Sequence, residues 1–526
     1  MIKINPHIFR AYDIRGIAMG NNPDLTPEAA YFIGKATGKY LKDNFGTTQG
    51  SAAAAGARGK TAGKYFSRSA RVIIGRDARL TSEILQTACM HGLIDAGCEV
   101  KNAGLATSPM IYWATCAMDF DGGIMLTASH NPKEYNGIKI VGKGAHSVCG
   151  EELQKILKIT ELYAHEGERS ENAVGAGMAG GANAVSGTNS ASEMFPETNM
   201  RKLREEPIAK NYIDDLLHRA KLDRKLKIVV DAGNGVAGPF IKDLFEKFGC
   251  EVIPLFCEPD GNFPNHEANP EYEKNLAELI ETVRAEKADL GFGFDGDGDR
   301  IGVVDETGKL WPGDYVLMFL AKDLLTRHPN AKVIFDTKAS QVAINEVAKS
   351  NGKPIISVTG HSFMEVRMRQ EKALIGGEIS GHTFFAENYY GFDDAFLAAM
   401  KVMEIVSRAT KKFSEYFADV PAVYSTSEIK AYCPDNKKFQ IVKEVTDYFT
   451  KKYDCLTIDG VRVKFDENSW AAVRCSNTTP NLTIRFESPD KKTFEEMRRI
   501  FYEKLSEYPE VDLSWYGTGS LLTKSK

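Results

Sequence analysis

Three aspartates at alternate positions in Asp295-Gly296-Asp297-Gly298-Asp299-Arg300 are the strongest chemical signal in the chain. Glycines separate them, and glycine tolerates the positive φ of a tight turn, so the carboxylates can face inward on one hard cation such as Mg²⁺. Left bare, three packed carboxylates repel one another, which makes a merely solvated acidic turn the weaker reading. An EF-hand competes, with Asp295, Asp297, Asp299 and Glu306 in register, and with it a calcium-binding module. However, Arg300 stands where that loop needs glycine, and the flanks read as strands.

A second signal is Thr127-Ala128-Ser129-His130-Asn131-Pro132, which follows the apolar run Gly123-Ile124-Met125-Leu126 and precedes Tyr135-Asn136-Gly137-Ile138-Lys139. A serine at a strand end, in a tight turn before proline, is exposed as a nucleophile must be. A turn whose Ser129 and Asn131 only satisfy backbone groups reads equally well in isolation. The third signal, Arg474-Cys475-Ser476-Asn477-Thr478-Thr479-Pro480 with Arg485 on the next strand, offers hydroxyls, turn amides and guanidinium groups suited to a phosphate dianion. The fourth, Gly376-Gly377-Glu378-Ile379-Ser380-Gly381-His382, could grip sugar hydroxyls. For both, a plain polar turn is the alternative.

Two glycine patterns mimic a dinucleotide fingerprint. Gly291-x-Gly293-x-x-Gly296 leads into another strand, where the fingerprint needs a helix, and Gly175-x-Gly177-x-x-Gly180 has no preceding strand. Ala54 stands where a P-loop ending in Gly59-Lys60-Thr61 needs glycine, and no Gly-x-Ser-x-Gly elbow occurs.

The elements that must position these loops alternate between short apolar strands and amphipathic helices. Strands near 71–77, 226–231 and 332–336 lead into helices over 81–96, 239–248 and 340–350, which predicts three α/β units with strands between helices. Beyond about residue 422 the order changes to a helix over 437–452, strands over 456–464, 470–474 and 482–487, and a helix over 492–508, an α+β pattern. Segments near 46–70 and 165–198 are rich in Gly, Ala, Ser and Asn and read as surface insertions that bury too little to offset their ordering entropy. At 526 residues the chain exceeds what one core supports.

A net charge of −5 argues against nucleic acid or an anionic membrane as partner. No apolar run is long enough to span a bilayer, and no leader pattern opens the chain. Nine scattered cysteines without a Cys-x-x-Cys pair read as reduced thiols, and the cytoplasm follows as the expected compartment.

In this order, the four loops resemble the α-D-phosphohexomutase superfamily, and most its phosphomannomutase/phosphoglucomutase branch. The similarity opens at Phe9-Arg10-Ala11-Tyr12-Asp13-Ile14-Arg15-Gly16 and covers nearly the whole chain outside the two insertions. The resemblance implies three related α/β domains plus a fourth, smaller α+β domain around a central active-site cleft, here 1–204, 205–309, 310–422 and 423–526. It implies that Ser129 carries the phosphoryl group and that Asp295, Asp297 and Asp299, with Ser129, hold Mg²⁺. Arg15, His130, Lys139, Arg300 and His382 then serve as acid, base or electrostatic groups. Tyr12, Thr359-Gly360-His361, Glu378 and Ser380 bind substrate, and Arg474, Ser476, Asn477, Thr478 and Arg485 take its phosphate.

The implied reaction interconverts hexose 1-phosphate and hexose 6-phosphate through a 1,6-bisphosphosugar, which turns over in the cleft and also acts as activator. Mannose and glucose are the expected sugars, since Gly377 to His382 followed by Phe384-Phe385 resembles that branch. A hexosamine phosphate mutase and a silent sugar-phosphate binder are the alternatives. The expected partner is the small hexose phosphate, and the assembly a monomer or homodimer. Two departures stand out: Thr479 replaces a frequent glutamate, and Glu365 replaces a frequently basic residue.

Overall fold

The computed structural model describes residues 4–46, 69–174, 204–476, 479–517 and 523–525. Most of the two expected insertions lies outside these, although the helix Glu151–Val174 runs into the start of the second. Asn477 and Thr478 of the expected phosphate loop also lie outside the described residues.

One four-strand motif occurs three times. In each copy the first strand pairs in parallel with the second on one side and the third on the other, and the fourth runs antiparallel to the third. The copies are Arg71–Arg76, Glu99–Leu105, Gly122–Leu126 and Tyr135–Gly142; then Lys227–Asp231, Glu251–Leu255, Leu290–Phe294 and Ile301–Asp305; then Lys332–Asp336, Lys353–Ser357, Ile375–Gly377 and Thr383–Phe385. The third strands are buried along their whole length, as apolar runs covered on both faces require. Helices begin where the chain supplies caps: Thr107 accepts from the Met110 amide and starts Ser108–Ala117, and Asp394 accepts from the Phe396 and Leu397 amides and starts Ala395–Ser407.

Three of the four chemical loops owe their places to this repetition. Ser129 follows the third strand of the first copy, Asp295 that of the second and Glu378 that of the third. One continuous core joins the three copies, with Phe245, Phe292, Phe294 and Phe396 packed ring against ring across the second and third.

The fourth unit is an antiparallel sheet with helices Asp435–Phe449 and Lys491–Leu505 packed on it, and its core around Phe449, Phe486 and Phe501 is its own. Here the structure corrects one expectation. The single strand expected over 456–464 is two, Asp454–Leu456 and Val461–Lys464, folded back antiparallel. Gly460 turns the chain at φ +70°, and a Cβ there would sit 2.2 Å from the Val473 carbonyl oxygen. No helix of the described residues is long and apolar enough to cross a membrane.

Candidate active site

The turn after Gly122–Leu126 places Ser129 in the left-handed region, at φ +51°. Non-glycine residues rarely adopt this conformation, and it persists only where surrounding contacts enforce it. The Ser129 amide donates to Thr127 Oγ1 at 2.8 Å, and its hydroxyl donates to Asp295 Oδ2 at 2.7 Å and lies 3.1 Å from His130 Nδ1. Gly296 must be glycine, because a Cβ would stand 2.4 Å from the Ser129 carbonyl oxygen. The Ser129 turn and the aspartate loop therefore meet backbone to backbone.

Asp295, Asp297 and Asp299 are fully buried, with one oxygen of each within 4.8 Å of the others. Asp295 Oδ1 accepts the amides of Gly298, Asp299 and Arg300, and its Oδ2 faces Arg300 Nε at 3.0 Å. Lys139 Nζ donates to Asp297 and Asp299 at 2.6 Å each, and Ser108 Oγ donates to Asp297 at 2.6 Å. Burial first, then the charges of Asp299 and Asp297, push Asp295 up to about 7. Burial alone would raise Asp297 too, but the Lys139 ammonium outweighs it and holds that carboxyl well below the usual range. Burial opposes the charge on Lys139, yet Asp297 and Asp299 raise it well above a free lysine.

Beside His130 and Arg300, the sequence neighbours of Ser129 and Asp299, a cavity of about 290 Å³ is walled by all four units. Tyr12 and His130 come from the first and Arg300 from the second. The third supplies Thr359, Gly360, His361, Glu378, Ser380 and His382, and the fourth Arg474 and Ser476. The chain belongs to the phosphoglucomutase/phosphomannomutase family. The models of that family's α/β/α domains I, II and III match residues 44–166, 210–308 and 312–424, and the model of its C-terminal domain matches 428–504. A phosphomannomutase/phosphoglucomutase of Pseudomonas aeruginosa is 36% identical over 499 residues, covering 95% of each chain. A phosphoglucomutase of Neisseria gonorrhoeae is 36% identical, covering 97% of this chain and 99% of its own. The crystal structure of a phosphoglucomutase/phosphomannomutase family protein from Burkholderia thailandensis superposes with a TM-score of 0.77 at 30% identity, covering 99% of this chain and all of its own.

In this family member the aspartate triplet suits a hard divalent cation. Among the described residues, Asp297 Oδ1 and Asp299 Oδ1 are buried without a hydrogen-bond partner, and the donors are oxygens throughout, the set Mg²⁺ takes. His382 donates from Nδ1 to Asp393 at 2.7 Å. Burial would lower its pKa, but the Asp299 charge and the Asp393 hydrogen bond raise it to about 9. His130 and His361 are held well below the usual histidine range, first by burial and then by neighbouring cations, Arg300 for His130 and Lys139 for His361. Arg15 reaches the Ser129 turn, donating to Asn131 Oδ1 at 2.8 Å while paired with Asp13.

Glu378 accepts the Gly360 amide at 2.6 Å and the Ser380 hydroxyl at 3.2 Å, which ties the two third-unit loops together. Arg474 is aimed by Asp459, whose Oδ2 also accepts the Thr359 amide at 3.0 Å and the Thr337 hydroxyl at 2.9 Å. The Thr479 and Ser476 hydroxyls bond to each other at 2.8 Å, and the buried Lys438 donates to the carbonyls of both.

Arg485 departs from the expectation of a phosphate ligand. It lies two residues beyond Thr483, which does line the cleft, and at about 3.4 Å per residue that carries it past the cavity. Its guanidinium donates to the Lys338 carbonyl, lies 3.6 Å from Asp314 and faces the Trp470 ring. It belongs to the seam between third and fourth units. Glu365 likewise turns from the cleft and accepts from Ser147 of the first unit.

Sequence reasoning missed Ser108, Asp393, Asp459, Lys338, Glu428 and the Glu271–Tyr272 wall. For Asp459 a signal existed: Asp459-Gly460 between alternating apolar residues marks a hairpin turn.

Proposed function

We propose that the protein is a phosphohexomutase that interconverts the 1- and 6-phosphates of glucose and mannose, with Ser129 as the phosphoryl carrier. The observation that carries this reading is the Ser129 hydroxyl, 2.7 Å from Asp295 of the buried triplet and 3.1 Å from His130, which lines a cleft walled by four units. Phospho-Ser129 gives its phosphoryl group to the free hydroxyl of a hexose phosphate. The resulting 1,6-bisphosphate turns end for end, and its other phosphate returns to Ser129. Arg474 and Ser476 hold the phosphate that is not reacting, through charge-assisted hydrogen bonds worth about 1.5–3 kcal/mol each. Glu378 and Ser380 face the sugar ring.

Asp295, Asp297, Asp299 and Ser129 Oγ would hold Mg²⁺, which neutralises charge on the group in transit. Lys139 and Arg300 bring two fixed cations to the same place, leaving positioning as the protein's main work. His382 and Lys139 are the candidates for moving the hydroxyl proton. A coupled assay on glucose 1-phosphate, mannose 1-phosphate and glucosamine 6-phosphate, primed with a trace of bisphosphate, tests the substrate. The expected order places the two hexose phosphates well ahead. Intact mass should show one phosphate on the wild type and none on Ser129→Ala, whose turnover falls by orders of magnitude. Near wild-type turnover in Ser129→Ala would remove the proposal.

A further inference from the structure

The first strands of the first and third copies end in the same pattern, an aspartate and then a cation two residues later: Asp77-Ala78-Arg79 and Asp336-Thr337-Lys338. Lys338 reaches the cleft and pairs with Glu428. Arg79 does something different. The residue is 2% exposed, its side chain fully buried, and its guanidinium lies against the nucleophile turn. Nη1 donates to the carbonyls of Pro132 at 2.8 Å and Tyr135 at 2.9 Å, and Nη2 to those of Ser129 at 2.8 Å and Asn131 at 2.6 Å. All four protons of the two terminal nitrogens are committed, each to a different residue of one loop.

The clamp is itself held on two sides. Asp77 accepts the Arg79 amide at 3.0 Å and the Ser82 hydroxyl at 2.5 Å, and Ser82 in turn accepts from Asn136 at 2.9 Å. From the second unit, the Phe263 ring covers the guanidinium at 5.2 Å. Gly261 packs so closely that a Cβ would sit 2.6 Å from the Ala78 carbonyl oxygen. The unit that carries the aspartate triplet thus presses on the residue that shapes the nucleophile turn.

The turn needs such a hold. Ser129 sits at φ +51°, a conformation that relaxes unless its surroundings enforce it. Hydrogen bonds to its carbonyl and to three carbonyls downstream fix the peptide planes on the C-terminal side of the strained residue. The Thr127 hydroxyl fixes the amide on the other side.

We propose that Arg79 is a positioning residue for the phosphoryl carrier: its four-carbonyl clamp holds Ser129 in the left-handed conformation that aims Oγ at the aspartate triplet. The inference rests on Ser129 being the carrier. It touches neither the phosphate turn nor the sugar loop, so its signature is a loss confined to the transfer step. Lysine keeps the charge opposite Asp77 but offers three protons from a single point, which cannot span four carbonyls.

The test measures kcat and KM for glucose 1-phosphate, with saturating glucose 1,6-bisphosphate, in wild type, Arg79→Lys, Arg79→Ala and Ser129→Ala. Arg79→Lys should lose roughly 100-fold in kcat, as expected when a reacting group is displaced by about 1 Å, with KM unchanged. Arg79→Ala should lose at least as much and recover part of its kcat on addition of guanidinium ion, which fits the vacated fork. Arg79→Lys at the wild-type kcat would overturn the proposal, and so would a loss expressed wholly in KM. Should Arg79→Ala fail to fold, Arg79→Lys alone decides. An inactive Ser129→Ala beside a fully active Arg79→Lys sinks the clamp and spares the carrier; an active Ser129→Ala sinks the carrier itself.

Discussion

Glu365 gives a sharp test of the electrostatics at the seam between first and third units. Its carboxyl is 4% exposed, accepts from Ser147 and faces Arg369 at 2.5 Å, while Arg369 also donates to the carbonyls of Gly144 and Ala145. Burial dominates, the Arg369 charge and the Ser147 hydrogen bond only partly offset it, and the pKa rises from 4.5 to about 7. A carboxyl with a raised folded pKa binds its proton more tightly in the folded state. It stabilises fully below the unfolded value, and that stabilisation is lost as pH climbs through the folded value. The gap corresponds to about 3 kcal/mol at most. Glu365→Gln retains an acceptor for Ser147 and cannot ionise. Its thermal midpoint relative to wild type should therefore climb steadily from about pH 4.5 to about pH 8, by several degrees. Thermal melts of both proteins in matched buffers read this directly. Parallel curves over that range would refute the reasoning.

Further outcomes follow from the cleft. Asp459→Asn leaves Arg474 without its aiming carboxylate, so kcat/KM for glucose 1-phosphate should fall about 10- to 100-fold, the worth of one charge-assisted hydrogen bond; steady-state kinetics that match wild type would count against it. Gly296→Ala forces the aspartate loop off the Ser129 carbonyl and should cost at least about 100-fold in kcat, measured in the coupled assay. Dialysis against EDTA should abolish turnover, and added Mg²⁺ should restore it and raise the melting temperature of wild type more than that of Asp297→Asn.

The repeating units were legible because strand and helix periodicity survive in each, and the four loops because their special residues are contiguous. Ser108, by contrast, meets Asp297 across 189 positions, and Arg79 meets the nucleophile turn across about fifty. Such residues lie in ordinary helix starts and strand ends, with nothing local to single them out. Arg485 was misjudged for a related reason. Strand alternation puts it on the same face as Thr483, but only the packed third and fourth units reveal that this face passes from cleft to seam within two residues.

The threefold repetition also bears on how such a catalyst can change over time. The Ser129 turn, the aspartate triplet and the Glu378 loop each follow the third strand of a separate sheet, so each has a scaffold of its own. The 376–382 segment is nonetheless joined to its neighbour, for the Ile301 amide donates to the Gly381 carbonyl and Arg300 bridges to His382. Separate scaffolds thus meet at one point of contact, where a Cβ on Gly381 would stand 2.4 Å from the Ile301 carbonyl oxygen and a change in one copy would be felt in the next.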